Sequence, residues 1–235
     1  MTLQLGFDGS VKLQSSDDAS LHECIERTLP TYQEYAKRIS FDTSNEREVY
    51  WRIVFSLLSV HSPIGATLDV YSSLRLWRVR FGRMPSIGVL HRIVSTLGRD
   101  GVIQYPYQKA TYLREFDLGW GMDRSRFLRC GEDDATWRDR LVREVKGVAM
   151  AKASFAVALS NPVDADVCCV DTHMYQLFKR GDVPRSTVKR RDYLDIEGKV
   201  RELARVYKVG CFVIQWLLWD AKRGVREPHA ELRGA

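Results

Sequence analysis

The chain has 235 residues, enough for one compact unit or two closely packed subdomains with a substantial core. Apolar residues at 45% and charged residues at 28% are ordinary for a soluble globular protein, and 36 Lys+Arg against 30 Asp+Glu leave a net charge of +6. That surplus favours a polyanionic partner only weakly, no apolar run approaches the roughly 20 residues of a membrane span, and the first residues lack the regions of a signal peptide.

Leu3, Leu5 and Phe7, then Val11 and Leu13, alternate around Asp8-Gly9-Ser10 as in a short β-hairpin. Helical periodicity then takes over. Asp17-Asp18 and Ser20 cap a helix over about 20–38, and Ser44-Asn45-Glu46 opens a second with Val49, Ile53, Leu57 and Val60 on one stripe. Pro63 breaks it, and a further helix is expected over about 64–80. Another runs from Ser86 to Leu97 and stops at Gly98, and one begins near Gln108 after Tyr105-Pro106-Tyr107. Gly119-Trp120-Gly121 reads as a turn.

Asp133-Asp134 caps a helix whose apolar stripe is Trp137, Leu141, Val142 and Val145, with Arg138, Arg140, Arg143 and Glu144 on the other face. After Gly147 a second short helix runs through Phe155 to Leu159 and ends at Asn161-Pro162. A basic linker from Lys179 to Arg191 leads to two last helices, one through Val200, Leu203 and Tyr207, the other the very apolar Phe212–Trp219. The expected fold class is all-α in the main.

The segment Leu141–Met174 carries the chemistry. A tight helix–turn–helix over Val145–Lys152 exposes backbone N–H groups at the start of its second helix, where the helix dipole is positive, and so offers a phosphate site blind to base sequence. Alone this is an ordinary αα-hairpin. The apolar run Val167–Val170 then leads into Asp171-Thr172-His173-Met174, where Asp171 also suits a helix N-cap.

Gly147-Val148-Ala149-Met150-Ala151-Lys152-Ala153, followed by Val170-Asp171-Thr172-His173, resembles the helix-hairpin-helix base-excision DNA glycosylases, the superfamily of endonuclease III and the 8-oxoguanine glycosylases. Their pattern is Leu-x-Gly-Val-Gly-x-Lys-x-Ala and then Val-Asp-Thr-His. Leu57-Leu58-Ser59-Val60-His61 is similar to the family's Leu-Leu-Ser-x-Gln, and Tyr107 and Lys109 lie in a stretch similar to its Tyr/Lys-rich approach to the hairpin.

The resemblance implies a two-lobed fold, with a central helical bundle over 46–171 and a second lobe from 1–45 plus 172–235. It implies that double-stranded DNA is the partner, that a base is flipped out of the duplex, and that its N-glycosidic bond is cut. Asp171 would stabilise the positive charge that builds on the sugar and activate water. Lys146, Gly147, Val148, Ala149, Met150 and Ala151 would grip phosphate, and His61 would fill the gap left by the base. Trp120, Tyr107 and Phe127 are candidate walls of the base pocket. Arg75, Arg78, Arg80 and Arg83, with Lys189, Arg190 and Arg191, are candidate phosphate contacts. Thr172 and His173 are expected to support the helix behind Asp171.

Lys152 has two readings. Counted back from Asp171 it lies nineteen positions upstream, as the amine nucleophile of strand-nicking relatives does. Counted forward from Gly147, Ala151 takes the family lysine's position and Lys152 falls one residue, about 100° of helix, further on. Tight turns tolerate insertions less well than loops, which favours the second count and a monofunctional enzyme.

Cofactors are not expected, apart from room for a monovalent cation at the hairpin. The five cysteines, Cys24, Cys130, Cys168, Cys169 and Cys211, include no C-x-x-C pair, and only Cys211 follows residue 169, which excludes the C-terminal iron–sulfur cluster of endonuclease III. A monomer in a reducing, intracellular compartment is the expectation, with no membrane partner. Two other functions stay open: an enzyme of DNA base hypermodification on the same scaffold, and a non-catalytic helix-hairpin-helix binding module.

Overall fold

The computed structural model describes residues 3–5, 11–13, 18–41, 44–96, 103–179 and 188–222. Among them the fold is helical apart from one small ladder, in which β1 (Leu3–Leu5) pairs antiparallel with β2 (Val11–Leu13), Gln4 opposite Lys12. The hairpin expected there is present; its tip, Asp8–Ser10, lies outside the described residues, as do Asp17, Gly98 and most of the basic linker.

Contacts divide the described residues into a terminal unit, those up to Ser40 and those from Asn161 to Lys222, and a central unit within Phe41–Ser160. The boundary expected at 171 therefore lies at 160, and Asp171 belongs with the terminal helices. The reason is local: the helix before it packs within the central unit, while residues 167–170 run against the last two helices of the chain.

The central unit contains α2 (Glu46–Leu58), α3 (Ile64–Phe81), α4 (Ile87–Thr96), α5 (Pro106–Met122), a 3-10 turn (Arg124–Arg126), α6 (Asp134–Glu144) and α7 (Met150–Ser160). Helix α2 is its axis: every residue from Val49 to Leu58 is buried, and α3, α5 and α7 pack around it. The Asn45 side chain caps its start by accepting from Glu48 N–H at 3.4 Å. Asp133 does the same for α6, accepting from Thr136 N–H at 2.7 Å.

The structure departs from the sequence expectation at Gly119–Gly121 and on α6. Gly119-Trp120-Gly121 is not a turn but the last part of α5. Trp120 is 9% exposed and packs on Tyr50, Phe116 and Phe127, so burying the indole outweighs the low helix propensity of the glycines on either side. Gly119 also lets the helix close on Phe127, since a Cβ there would meet Phe127 Cζ at 3.2 Å. Arg138, placed on the face opposite the apolar stripe, is instead 2% exposed and paired with Asp139 at 2.9 Å, whereas Val142, placed on that stripe, is 37% exposed.

The terminal unit contains α1 (Asp18–Ile39), α8 (Thr172–Lys179), α9 (Arg190–Tyr207) and α10 (Cys211–Lys222). Helix α10 is buried throughout Cys211–Leu218 and touches α1, α8 and α9, as a helix apolar on all sides must. Its two buried polar residues are paired: Asp220 accepts from Tyr32 Oη at 2.9 Å, and Gln215 accepts from the backbone of Cys169. No helix among the described residues is long and apolar enough to cross a membrane.

Candidate active site

The hairpin forms where Gly147 places it. Helix α6 ends as Val145 N–H bonds to Leu141 O at 2.9 Å; Gly147 then adopts φ +86°, and Val148 N–H closes the turn onto Val145 O at 3.2 Å. Val145 and Val148 are buried and anchor the turn, while Lys146 and Ala149 face solvent. Ala149 O accepts from Lys152 N–H at 3.0 Å and Ala153 N–H at 2.9 Å, so Ala149 is the first half-helical residue and the N–H groups of Met150 and Ala151 precede the intrahelical ladder. Positive φ is confined to Gly147 in this turn, so alanine at 149 costs the hairpin nothing in backbone strain.

Lys146 bonds Glu115 at 3.1 Å and stands over the Tyr112 ring, both contacts largely exposed. Lys152 lies in the first turn of α7, its amine 5.4 Å from the Phe155 ring centroid and its carbonyl accepting from Ser56 Oγ. Ala151, in the same turn, is partly exposed.

Close to Lys152 is a second lysine. Lys109 is 4% exposed, and its Nζ donates to Leu58 O at 2.7 Å, Val60 O at 2.5 Å and Ser62 Oγ at 2.6 Å. An ammonium has three N–H donors, and here all three are used at the C-terminal end of α2, where cations are favoured. Burial, and then the Lys152 charge, push its pKa down to about 7, against the pull of those three acceptors.

The turn that Lys109 holds presents His61. This residue is exposed, has φ +50°, and its ring lies 6.4 Å from that of Tyr105, edge to face. Tyr105 is 58% exposed and also left-handed, at φ +56°, just before Pro106. Positive φ on a bulky residue is uncommon and costs about 1–3 kcal/mol, and such strain concentrates at functional sites.

Of the three expected pocket walls, the structure brings two together but not as a pocket. Trp120 and Phe127 stack at 5.9 Å inside the core of the central unit, Phe127 2% exposed. Tyr107 is apart from them, 65% exposed and beside His91 at 5.8 Å. Arg75 and Arg78 are likewise taken up by the fold, paired with Glu48 and with Asp117, leaving Arg80 and Arg83 exposed.

Asp171 caps α8. Its Oδ1 accepts from Met174 N–H at 3.0 Å and its carbonyl from Tyr175 N–H at 2.8 Å. The second oxygen, Oδ2, has no protein partner among the described residues, and the side chain is half-buried. A carboxylate so placed is fixed by one oxygen and keeps the other for a reacting group. The His173 ring lies 6.1 Å from that of Trp219, and its carbonyl accepts from Lys222.

The chain matches the family model of the 8-oxoguanine DNA glycosylases, Ogg-HhH, over residues 31–209. No curated protein sequence matches it. Among solved structures it is similar to the Methanocaldococcus jannaschii 8-oxoguanine glycosylase/lyase in complex with a 15-mer DNA containing 8-oxoguanine, at 17% identity and TM-score 0.61, over 90% of this chain and 95% of that one. A second structure of a Methanocaldococcus jannaschii 8-oxoguanine DNA glycosylase matches at 16% identity and TM-score 0.63, over 88% of this chain and 90% of that one. The 8-oxoguanine DNA glycosylase of Thermotoga maritima matches at 18% identity and TM-score 0.60, over 90% and 95%. At these identities the structures attest the helix-hairpin-helix glycosylase fold, and the family model attests the lineage: the chain belongs to the 8-oxoguanine DNA glycosylase family.

Proposed function

We propose that this DNA glycosylase binds duplex DNA, turns an oxidised purine out of the stack and hydrolyses its N-glycosidic bond, without nicking the strand. The observation that carries the reading is Asp171, a carboxylate fixed through Oδ1 at the start of α8 with Oδ2 uncommitted. As the base departs, positive charge grows on the deoxyribose; Oδ2 stabilises it and orients the water that attacks the anomeric carbon. The Lys146–Ala151 segment binds a backbone phosphate through the N–H groups that open α7, which anchors the strand and reads no base. His61, with Tyr105 beside it, stacks in the space the base vacates; their exposure and left-handed backbones support this role. The protein acts as a monomer on intracellular DNA and needs no cofactor, a monovalent cation at the hairpin turn aside.

Base recognition falls to side chains other than Trp120 and Phe127, which the core of the central unit encloses. The family to which the chain belongs supports 8-oxoguanine as the base.

The absence of strand nicking rests on the hairpin. With Gly147 at the turn, the residue in register with the family lysine is Ala151, and Lys152 is rotated by about 100°. A lyase reading with Lys152 as amine nucleophile is favoured by a different observation, the naming of the Methanocaldococcus protein as a glycosylase/lyase. Incubating the protein with a duplex carrying one 8-oxoguanine, with and without hot alkali, separates the two. Breaks that appear only in alkali are expected; breaks without alkali, together with a borohydride-trapped adduct, would establish the lyase.

A further inference from the structure

Residues 167–170 reach Asp171 as a buried stretch that belongs to no helix or sheet. Such a stretch leaves its amides without the partners that regular structure supplies. Here three consecutive amides are met by three side chains. Cys168 N–H donates to Glu197 Oε1 at 3.2 Å, Cys169 N–H to Gln215 Oε1 at 3.0 Å, and Val170 N–H to Tyr193 Oη at 3.3 Å. The Tyr193 hydroxyl in turn donates to Cys168 O at 2.6 Å.

The pattern follows the backbone. In an extended chain successive amides point to opposite sides, so 168 and 170 share a side and 169 faces away. Tyr193 and Glu197 are four apart on α9 and thus on one face of it, and they serve 168 and 170; Gln215, from α10, serves 169. All three side chains are at most 4% exposed. Two helices thereby do for this stretch what two neighbouring strands would do, and they fix the residue that follows it.

We propose that Tyr193, Glu197 and Gln215 are positioning residues for Asp171, setting where its carboxylate stands and hence the rate of base excision rather than the affinity for DNA. This rests on the reading of Asp171 as the catalytic carboxylate. Catalysis is sensitive to such placement: a shift near 1 Å can lower a rate by about a hundredfold.

The test uses the full chain and a duplex carrying a single 8-oxoguanine opposite cytosine. Excision is followed in single turnover with enzyme in excess, and affinity is measured separately on a duplex with a tetrahydrofuran abasic analogue. Tyr193→Phe removes the hydroxyl, and Gln215→Met and Glu197→Met remove the acceptors at similar volume, whereas Glu197→Gln keeps an acceptor. Each protein is assayed below its own unfolding transition, with the active fraction titrated on the abasic duplex. The expected result is excision slowed by about tenfold to a hundredfold in the first three, abasic-duplex Kd within about twofold of wild type, and most of the rate restored in Glu197→Gln. Hydrogen exchange of the 167–171 amides should quicken in the slow variants. Wild-type rates in Tyr193→Phe and Gln215→Met, while Asp171→Asn is inactive, would overturn the positioning role alone. Equal rates for wild type and Asp171→Asn, or no excision by either, would overturn the Asp171 reading and the positioning role with it.

Discussion

Gly147 and the ring of Tyr112 lie so close that a Cβ on residue 147 would stand 2.1 Å from Tyr112 Cδ2. The hairpin turn therefore needs glycine twice, once for its φ of +86° and once for its contact with α5. Gly147→Ala is expected to lower stability by about 1–3 kcal/mol and to weaken binding to undamaged and abasic duplexes alike, because the turn that carries the phosphate donors must shift. Thermal unfolding and fluorescence anisotropy check this. An alanine variant with the wild-type Tm and Kd would show that the turn does not hold the DNA.

Lys109 and Lys152 make a second prediction, on proton binding. Lys109 titrates near 7 in the folded chain, against about 10.4 when unfolded. Its folded pKa is lowered, so below 7 both states are protonated and the cost of the buried charge is present in full. Between about 7 and 10.4 the unfolded chain holds the extra proton, and stability rises with pH across that window. Wild type is expected to gain stability relative to Lys109→Met as pH goes from 6.5 to 9. Lysine side-chain NMR should find one amine titrating near 7, moving upward in Lys152→Met as the neighbouring charge is removed. A Lys109 titration unmoved by that substitution would refute the coupling.

Ala151 allows the register of the hairpin to be tested by gain of function. Borohydride is expected to trap no wild-type adduct on an 8-oxoguanine duplex, and Ala151→Lys is expected to form one, since it places an amine at the family position. Denaturing gels read the result. A wild-type adduct that disappears in Lys152→Met would assign the nucleophile to Lys152 instead.

His61→Ala is expected to slow excision from duplex DNA by about tenfold, the loss of one stacking contact worth about 1–3 kcal/mol. The effect should be smaller when the same base sits in a mismatch, where the cost of unstacking is lower. Equal slowing on matched and mismatched duplexes would argue against a role in the vacated space.

Local signals in the sequence carried most of the helical framework, because those signals are physically local. Asn45 before α2, Pro63 after it, and Asp133 before α6 act on residues within one turn, and Gly147 marks the hairpin by its own backbone. Gly119 and Gly121 misled because a helix-breaking composition was outweighed by the packing of Trp120 on Phe116 and Phe127, a contact no local window reveals. Arg138 misled for the same reason, set opposite the apolar stripe where the fold provides Asp139 and a buried site. Asp171 was legible from its motif. The groups that serve its approach were not, since Glu197, Gln215 and Tyr193 lie 23 to 46 residues from the amides they meet. One faint signal existed: Gln215 is the lone polar residue within the apolar run Phe212–Trp219.

Whether Asp171 drives glycosidic cleavage is decided by single-turnover excision of 8-oxoguanine by Asp171→Asn, with DNA affinity measured alongside. Asparagine keeps an oxygen to cap α8 through Met174 N–H but removes the negative charge. A catalytic Asp171 requires a rate at least about a thousandfold below wild type with Kd for the abasic-analogue duplex nearly unchanged. A variant that still releases the base at a rate near wild type would contradict it.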